Sequence, residues 1–366
     1  MEQKRGSLEN LVILNKNFWK NKRILITGHT GFKGSWLSII LKELGCKVYG
    51  YSLKPNNSQK LFNIFDIKKS IDKSMFADIS EYNKLKNFCM LTKPNIIINL
   101  AAQSLVIDGY KDPFNNFKTN IQGMINILDI CDNIKSAKLL LNITTDKVYL
   151  SENKLKLFNE KSKLFAHDPY GISKVCSDLL TQSYNYFNKN KNLRFLVARS
   201  GNVLGGGDYS KNRIVPDILK SINYKTKLTL RNPGHIRPWQ HLFEPLTGYM
   251  ILIQKYYSAK SFDRENDSTW NFGPHTNSCI SVDKLTKKFY KLQKFNFSKS
   301  NELSKLKETK FLGLDSSKSK KRLFWRQKWS IDKTIKSIYD WNNSFIYNKS
   351  NIKKYSLNQF IEYLND

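Results

Sequence analysis

The chain has 366 residues, 40% of them hydrophobic, enough to bury a full core in one large or two ordinary domains. Its 61 basic and 30 acidic residues give a net charge of +31, but the lysines are spread along the chain, densest from Lys284 to Lys336. There is no compact basic motif, zinc-finger spacing or stacked-aromatic signature of an RNA-binding sheet, so the charge is read as a solvated surface that also attracts a phosphorylated substrate, not as a specific nucleic-acid site. The five cysteines (Cys46, Cys89, Cys131, Cys176, Cys279) are scattered without disulfide or zinc spacing and fit a reducing cytosol.

Residues 1–18 are read as an N-terminal extension. Charges run through Met1 to Lys22 and only Leu11-Val12-Ile13-Leu14 is apolar, so neither a signal peptide nor membrane insertion is expected, and the protein is read as soluble and cytoplasmic. The run Arg23-Ile24-Leu25-Ile26-Thr27 predicts a strand. Gly28-His29-Thr30-Gly31-Phe32-Lys33-Gly34 predicts a tight turn, and Trp36, Leu37, Ile40, Leu41 and Leu44 form one stripe of a helix. A strand, glycine turn and helix in this order suit a pyrophosphate, which approaches the glycine backbone and meets the free amides of the helix start.

Further apolar runs at 46–53, 96–101, 137–144 and 193–198 alternate with helical periodicity, which predicts a Rossmann-type, doubly wound parallel α/β sheet over 19–200. About twenty residues past the glycine turn, where an acid would bind the adenosine ribose, the chain has Tyr51-Ser52-Leu53-Lys54. Ser52 is the candidate ribose ligand, and Lys54 leaves a phosphorylated cofactor open. Asp78 is a candidate for the adenine edge, with capping of the next helix as the alternative. Asn99-Leu100-Ala101-Ala102-Gln103 ends a strand in small residues that permit close approach of a cofactor or, equally, packing against a helix.

Leu141 to Tyr149 reads as a buried strand ending in Thr145-Asp146-Lys147, and ligands of open α/β sheets bind at such carboxyl ends. Thr145 is placed to bond a reacting hydroxyl, and Asp146 with Lys147 offers an acid-base pair beyond what redox chemistry needs. Tyr170 and Lys174 are four apart on a helix opening at Pro169, so they share a face. An ammonium about 4 Å from a phenol favours its anion by about 4 kcal/mol at an effective dielectric of about 20, enough to bring the phenol toward neutrality as a base.

Beyond Arg199 the pattern loosens into loops rich in Gly, Pro, Asn and Trp, read as a smaller, irregular substrate-binding domain over 201–366 with about 236–257 returning to the first domain. Helices are expected near 244–257, 282–292 and 331–346. Asn202, Arg213, Arg237 and Gln240 supply the guanidinium forks and amides that a nucleotide diphosphate needs, with a purely structural role as the equal alternative for each. The five histidines have no metal-ligand spacing, so no metal is proposed.

GHTGFKGSWL at 28–37, AAQSLV at 101–106, TTDKVY at 144–149, HDPYGISK at 167–174, GNVLGGGDYSKNRIVPDILKSI at 201–222, RPWQH at 237–241 and WNFGP at 270–274 closely resemble the CDP-glucose 4,6-dehydratases, extended short-chain dehydrogenase/reductases. The resemblance runs from about Trp19 to the C-terminus. It implies oxidation of the hexose at carbon 4 with tightly bound NAD, loss of water across carbons 5 and 6, and hydride return to carbon 6. The product is a CDP-4-keto-6-deoxyglucose for deoxysugar and surface-polysaccharide synthesis. It also implies a homo-oligomer built through a helical interface. Tyr170 would be the base at the carbon 4 hydroxyl, Lys174 its activator, Thr145 a second hydroxyl partner, and Asp146 the acid for the departing hydroxyl. Lys147 stands where related dehydratases carry a Glu base, and an ammonium cannot take a proton, so it needs a depressed pKa or an electrostatic role. The cofactor set so implied is Gly28, Thr30, Gly31, Phe32, Lys33, Gly34, Ser52, Asp78, Ile79, Leu100, Ala101, Ala102, Gln103, Thr119, Tyr170 and Lys174.

Two departures from the family pattern fall on the extension before Trp19 and on Leu150 to Ala166, where Phe165-Ala166 precedes His167 and expected aromatic and glycine residues are missing. An epimerase or reductase of the same fold would use Thr145, Tyr170 and Lys174 without needing Asp146 and Lys147. A non-catalytic nucleic-acid-binding protein on this scaffold would bind duplex with a steep salt dependence.

Overall fold

The computed structural model describes residues 14–151, 156–190, 192–300 and 311–366. Residues 1–13 of the expected extension and 152–155 of the divergent loop lie outside the described residues. Six strands arise in the first part of the chain: β1 (Arg23–Thr27), β2 (Lys47–Ser52), β3 (Lys73–Phe76), β4 (Ile96–Asn99), β5 (Leu139–Thr145) and β6 (Arg194–Ser200). The shorter β7 (Val203–Leu204), β8 (Leu228–Leu230), β9 (Ile236–Pro238) and β10 (Gln240–His241) follow, then β11 (Thr269–Phe272), β12 (Cys279–Ser281) and β13 (Phe297–Lys299).

Seven of these form one sheet in the order β11-β6-β5-β4-β1-β2-β3, with every neighbouring pair parallel. The order reverses between β1 and β4, and in such sheets the ligand crevice opens there, at the carboxyl ends. Every residue of β4 and β5 is buried, as strands covered on both faces must be, which is why they read as continuous apolar runs. The five expected strands are present. Two more are not visible as apolar runs: β3, a half-exposed edge strand, and β11, which crosses back from the second half of the chain to pair with β6.

Helices α1 (Lys16–Trp19), α2 (Phe32–Glu43), α3 (Lys60–Ile64), α4 (Ile67–Ser70), α5 (Tyr82–Thr92), α6 (Val106–Lys111), α7 (Pro113–Phe117), α8 (Gly123–Asn133) and α9 (Pro169–Phe187) connect the strands. A π turn, Lys118–Gln122, joins α7 to α8. Later come α10 (Ile214–Tyr224), α11 (Phe243–Tyr256), α12 (Val282–Leu292), α13 (Ser317–Leu323), α14 (Ile331–Tyr347) and α15 (Ile352–Asn365).

One sheet face is covered by α2, α11 and α15, where Trp36 and Ile40 share a core with Leu246, Ile253, Phe360 and Tyr363. The expected stripe on α2 is wider than an amphipathic one, because Gly34 to Leu41 are all buried. The opposite face packs Leu85 and Phe88 of α5 and Met124, Ile127 and Leu128 of α8 on Ile97, Leu140 and Phe195. A third core joins Ile218 of α10, Leu285 and Phe289 of α12 and Ile335 and Ile338 of α14 with Leu204 of β7, Leu230 of β8 and Trp239 between β9 and β10. Since β7 leaves the carboxyl end of β6 after only Gly201-Asn202, this smaller unit is carried at the edge of the sheet where ligands bind.

Candidate active site

The turn after β1 owes its shape to its glycines. Gly28 has φ +73°, and a Cβ there would lie 2.7 Å from the Ala101 nitrogen. A Cβ on Gly34 would lie 2.2 Å from the Gly28 carbonyl oxygen, so the first turn of α2 packs directly against the loop. Gly31 is the N-cap and offers no side chain to the helix start, leaving the first amides of α2 for an anion. This cradle suits a dinucleotide pyrophosphate. Beside it the Thr30 and Ser52 hydroxyls are hydrogen-bonded at 2.8 Å, joining the turn to the carboxyl end of β2.

The other residues expected to meet a cofactor are placed as follows. Thr27 donates to Asn99 at 2.6 Å and accepts from the Ala101 amide at 3.3 Å, which fixes Leu100, Ala101 and Ala102 beside the glycines. Asp78 accepts from the Ser80 amide at 2.8 Å in a tight turn, and Glu81, not Asp78, is the N-cap of α5. Ile79 is buried, with its carbonyl accepting from Asn126 at 3.0 Å. Thr119 lies in the π turn. Phe32 approaches Gly205 at the start of the smaller unit. The Lys33 side chain runs inward to Ser200 (3.1 Å) and the Tyr249 hydroxyl (3.4 Å). Burial, with Arg213 assisting, lowers its pKa to about 7, while Asp146 acts in the opposite sense.

The strand end meets the first turn of α9. Asp168 caps α9 by accepting from the Gly171 amide at 2.9 Å, with Pro169 in the first turn. The cap sets Tyr170 against Thr145, whose hydroxyl is hydrogen-bonded to the phenol. Lys174 donates to the Ile143 carbonyl at 2.8 Å. The expected drop in the phenol pKa is not what the protein groups produce. Burial raises Tyr170 to about 12, opposed by Arg213 and Thr145, and burial lowers Lys174 itself to about 8. Burial disfavours both ions, and the Lys174 ammonium is held on the Ile143 carbonyl, so the attraction read from their spacing does not set the phenol.

Asp146 is buried. Its Oδ1 accepts from Thr145 at 3.0 Å, whereas Oδ2 has no hydrogen-bond partner among the described residues. Burial raises its pKa, opposed by Lys147, Thr145, Arg237 and Lys33. A carboxyl held toward its neutral form, with one oxygen uncommitted, has the chemistry of a proton donor. Lys147 lines a small cavity with Arg237, His167, Phe165 and Tyr149.

On the substrate side, Arg213 pairs with Asp208 at 3.3 Å and remains about a third exposed. Arg237 is buried, with its guanidinium on the Ile236 carbonyl (2.9 Å) and 3.2 Å from His235 Nδ1. Gln240 is buried and donates to Phe272 at 2.9 Å, while the Asn202 carbonyl accepts from the Gln240 amide at 3.1 Å. Asn202 and Gln240 therefore join β7 to β10 through backbone, whereas Arg213 and Arg237 direct charge toward Tyr170 and Asp146.

Two supporting groups escaped the sequence reading. Asn120 donates to Ser173 at 2.8 Å, and Ser173 donates to the Tyr170 carbonyl at 2.7 Å. Asn120 also accepts from the Gln103 amide at 2.9 Å, so the loop after β4 and the start of α9 share one anchor. Asp178, one turn beyond Lys174, forms a buried two-point pair with Arg199 at 2.8 and 2.7 Å and accepts from Thr144 at 3.0 Å. The i,i+4 spacing of Lys174 and Asp178 was the available signal for the second group. For Asn120 the signal was hidden, because it lies in an irregular turn.

The family described as GDP-mannose 4,6 dehydratase matches residues 25–338. The chain is 35% identical over 341 residues to a CDP-glucose 4,6-dehydratase of Salmonella typhimurium, covering 91% of this chain and 94% of that protein. It is 28% identical over 255 residues to a dTDP-D-glucose 4,6-dehydratase of Dictyostelium discoideum, covering 66% of this chain and 57% of the relative. Among solved structures, UDP-glucose 4-epimerase of Thermotoga maritima with UDP-glucose aligns with a TM-score of 0.76 at 18% identity, covering 88% of this chain and 99% of the other. The dTDP-glucose 4,6-dehydratase of Bacillus anthracis in complex with NAD aligns with a TM-score of 0.71 at 20% identity, covering 88% and 97%.

Proposed function

The chain belongs to the GDP-mannose 4,6 dehydratase family, and from that premise we propose that it is a CDP-glucose 4,6-dehydratase using tightly held NAD. The observation that carries this reading is the buried Asp146, raised in pKa and with a free oxygen, directly after Thr145 and beside Tyr170 and Lys174. A sister epimerase or reductase needs the last three and has no use for an additional acid.

NAD supplies the hydride acceptor at carbon 4 and the donor at carbon 6. The protein supplies position and protons. The Gly28–Gly34 cradle and the amides of α2 would hold the pyrophosphate, and Ser52 with Thr30 would hold the adenosine ribose. Tyr170 takes the carbon 4 hydroxyl proton, with Thr145 bonded to the same oxygen. The positive charge of Arg213 and the Thr145 hydrogen bond offset part of the cost of the buried phenolate. A ketone at carbon 4 acidifies carbon 5, so elimination follows oxidation. Lys147, as its free amine, takes the carbon 5 proton, Arg237 in the same cavity places positive charge beside the developing enolate, and Asp146 protonates the carbon 6 hydroxyl as it leaves as water; the ammonium so formed returns a proton to carbon 5 as the hydride reaches carbon 6. The hydride taken from carbon 4 ends on carbon 6, so the net redox change is zero.

Arg213 and Arg237 are the anchors for the diphosphate and the hexose. Exposed Phe114, Phe117, Leu179, Tyr186 and Phe187 on α7 and α9 support self-association through these helices. Among the described residues no helix is long and apolar enough to cross a membrane, in keeping with a cytoplasmic enzyme.

The reading is tested by incubating the purified protein with CDP-glucose in heavy water, with and without added NAD, and following the nucleotide sugar by mass spectrometry. Loss of one water with one deuterium gained at carbon 5 is expected. An unchanged sugar, with turnover of a UDP-, GDP- or dTDP-hexose instead, overturns the nucleotide assignment.

A further inference from the structure

One dehydration leaves two protons out of place. The hydride removed from carbon 4 and a proton at carbon 5 are both restored to the sugar, so the cofactor and Lys147 end as they began. Tyr170 and Asp146 do not: the phenol has gained the carbon 4 hydroxyl proton, and the carboxyl has lost one to the departing water. Before the next sugar reacts, one proton must leave the phenol and one must reach the carboxyl.

A single side chain joins these two groups. Thr145 is hydrogen-bonded to the Tyr170 phenol, and its hydroxyl donates to Asp146 Oδ1 at 3.0 Å. Thr145 and Asp146 are buried, and Lys174, on the same face of α9 as Tyr170, is buried and committed to the Ile143 carbonyl at 2.8 Å. A hydroxyl accepts and donates at once, so the chain of phenol, hydroxyl and carboxylate is complete for a proton. On the far side of the carboxyl, Oδ2 has no hydrogen-bond partner among the described residues, and Gly201 leaves it room, since a Cβ there would lie 3.2 Å away. Burial penalises either anion, and the Asp146 charge strengthens the phenol's hold on its proton, so the site favours one proton shared between the two groups over two anions.

We propose that the Thr145 hydroxyl relays a proton from Tyr170 to Asp146 after each turnover and so resets both groups. The phenol O–H breaks as its proton passes to Thr145 Oγ1, and the Thr145 O–H breaks as its own proton passes to Asp146 Oδ1, leaving a phenolate, an intact hydroxyl and a neutral carboxyl. A half-turn about the Cβ–Cγ bond of Asp146 then brings that proton to the unpartnered side, for the next carbon 6 hydroxyl to accept. The phenol is the weaker acid, so the reset runs toward the less populated form, and the Arg213 charge favours the phenolate. The inference rests on the dehydratase reading and gives Thr145 a role between turnovers, distinct from its bond to the carbon 4 hydroxyl.

The holoenzyme, equilibrated in dilute buffer, is mixed with excess CDP-glucose, and product per site is followed by rapid quench. The native enzyme and Thr145→Ser should turn over without response to imidazole at fixed pH and ionic strength. Thr145→Val, which keeps the shape and lacks the relay, should complete about one turnover per site and then slow at least about tenfold, with the slow phase raised at least about threefold by imidazole as an outside proton carrier. NADH bound by this variant within about threefold of the native dissociation constant reports an intact fold. First and later turnovers of Thr145→Val slowed equally, with no imidazole effect, overturn the relay, while dehydration by the native enzyme keeps the underlying reading. A native rate that rises with imidazole overturns the relay too, since the proton would then pass through solvent. No dehydration by the native enzyme removes that reading and this inference together.

Discussion

The Lys174 ammonium donates to the Ile143 carbonyl at 2.8 Å, so the helix that carries Tyr170 is tied to the strand that ends in Thr145 and Asp146. The tie sits in a buried place, and burial lowers the Lys174 pKa from 10.5 to about 8.

That shift has a sign for stability. The native state favours neutral lysine, so this residue's contribution is most favourable above about pH 10.5, declines as pH falls to about 8 and is level below that. A drop of this size corresponds to roughly 3 kcal/mol, less about 1–2 kcal/mol for the Ile143 bond. Lys174→Met is therefore predicted to gain about 1–2 kcal/mol in urea melts at pH 7 and to lose that gain as pH approaches 10.5, while turnover collapses. Equal destabilisation at every pH would mean that the ammonium is not strained.

Asp146→Asn removes the proton donor and keeps the shape. Dehydration is predicted to fall by about 10²–10⁴, while the first hydride transfer, followed as transient absorbance of the reduced cofactor, survives in part. In the native enzyme the acid must be protonated, and burial raises its pKa, so the elimination rate should fall as pH rises through that raised value. Equal loss of both steps in the variant would remove Asp146 from its assigned role.

The Asp178–Arg199 pair is buried at both ends, with side-chain exposures of 0% and 1%. Asp178→Ala leaves a guanidinium without its carboxylate and should cost about 3–5 kcal/mol in chemical denaturation. Arg199 also donates to Tyr149 at 2.8 Å, which in turn donates to Asn271 at 2.7 Å on β11, so the loss should extend to the edge of the sheet. A cost under about 1 kcal/mol would mean that the pair is replaceable by solvent.

The turn glycines separate cofactor binding from backbone strain. Gly34→Ala would place a Cβ 2.2 Å from the Gly28 carbonyl and should weaken dinucleotide binding at least about tenfold. Gly45 also has a positive φ, +82°, but its nearest neighbour would be 3.7 Å away. Gly45→Ala should cost about 1 kcal/mol of stability and leave the dissociation constant unchanged, as read by calorimetry.

The legible parts of the site are those where chemistry depends on local spacing. The Gly28–Gly34 turn, the Thr145-Asp146-Lys147 strand end and the Tyr170/Lys174 face each lie within one short segment, and the structure brings all three together at one edge of the sheet. The hidden parts depend on long-range pairing. Nothing in Thr269–Phe272 announces that it joins β6 across some seventy residues, and the Asn120–Ser173 bond spans an irregular turn and a separate helix. The electrostatics are hidden for the same reason. The spacing of Tyr170 and Lys174 shows neither the Ile143 carbonyl that holds the ammonium nor the desolvation set by everything folded around the pair.

The central claim is an internal oxidation and reduction around a dehydration, and CDP-glucose carrying deuterium at carbon 4 tests it most directly. Turned over in ordinary water, it should give a product that has lost one water and carries the deuterium at carbon 6. Deuterium retained at carbon 4 in a sugar of unchanged formula, or released to solvent during dehydration, would contradict the account.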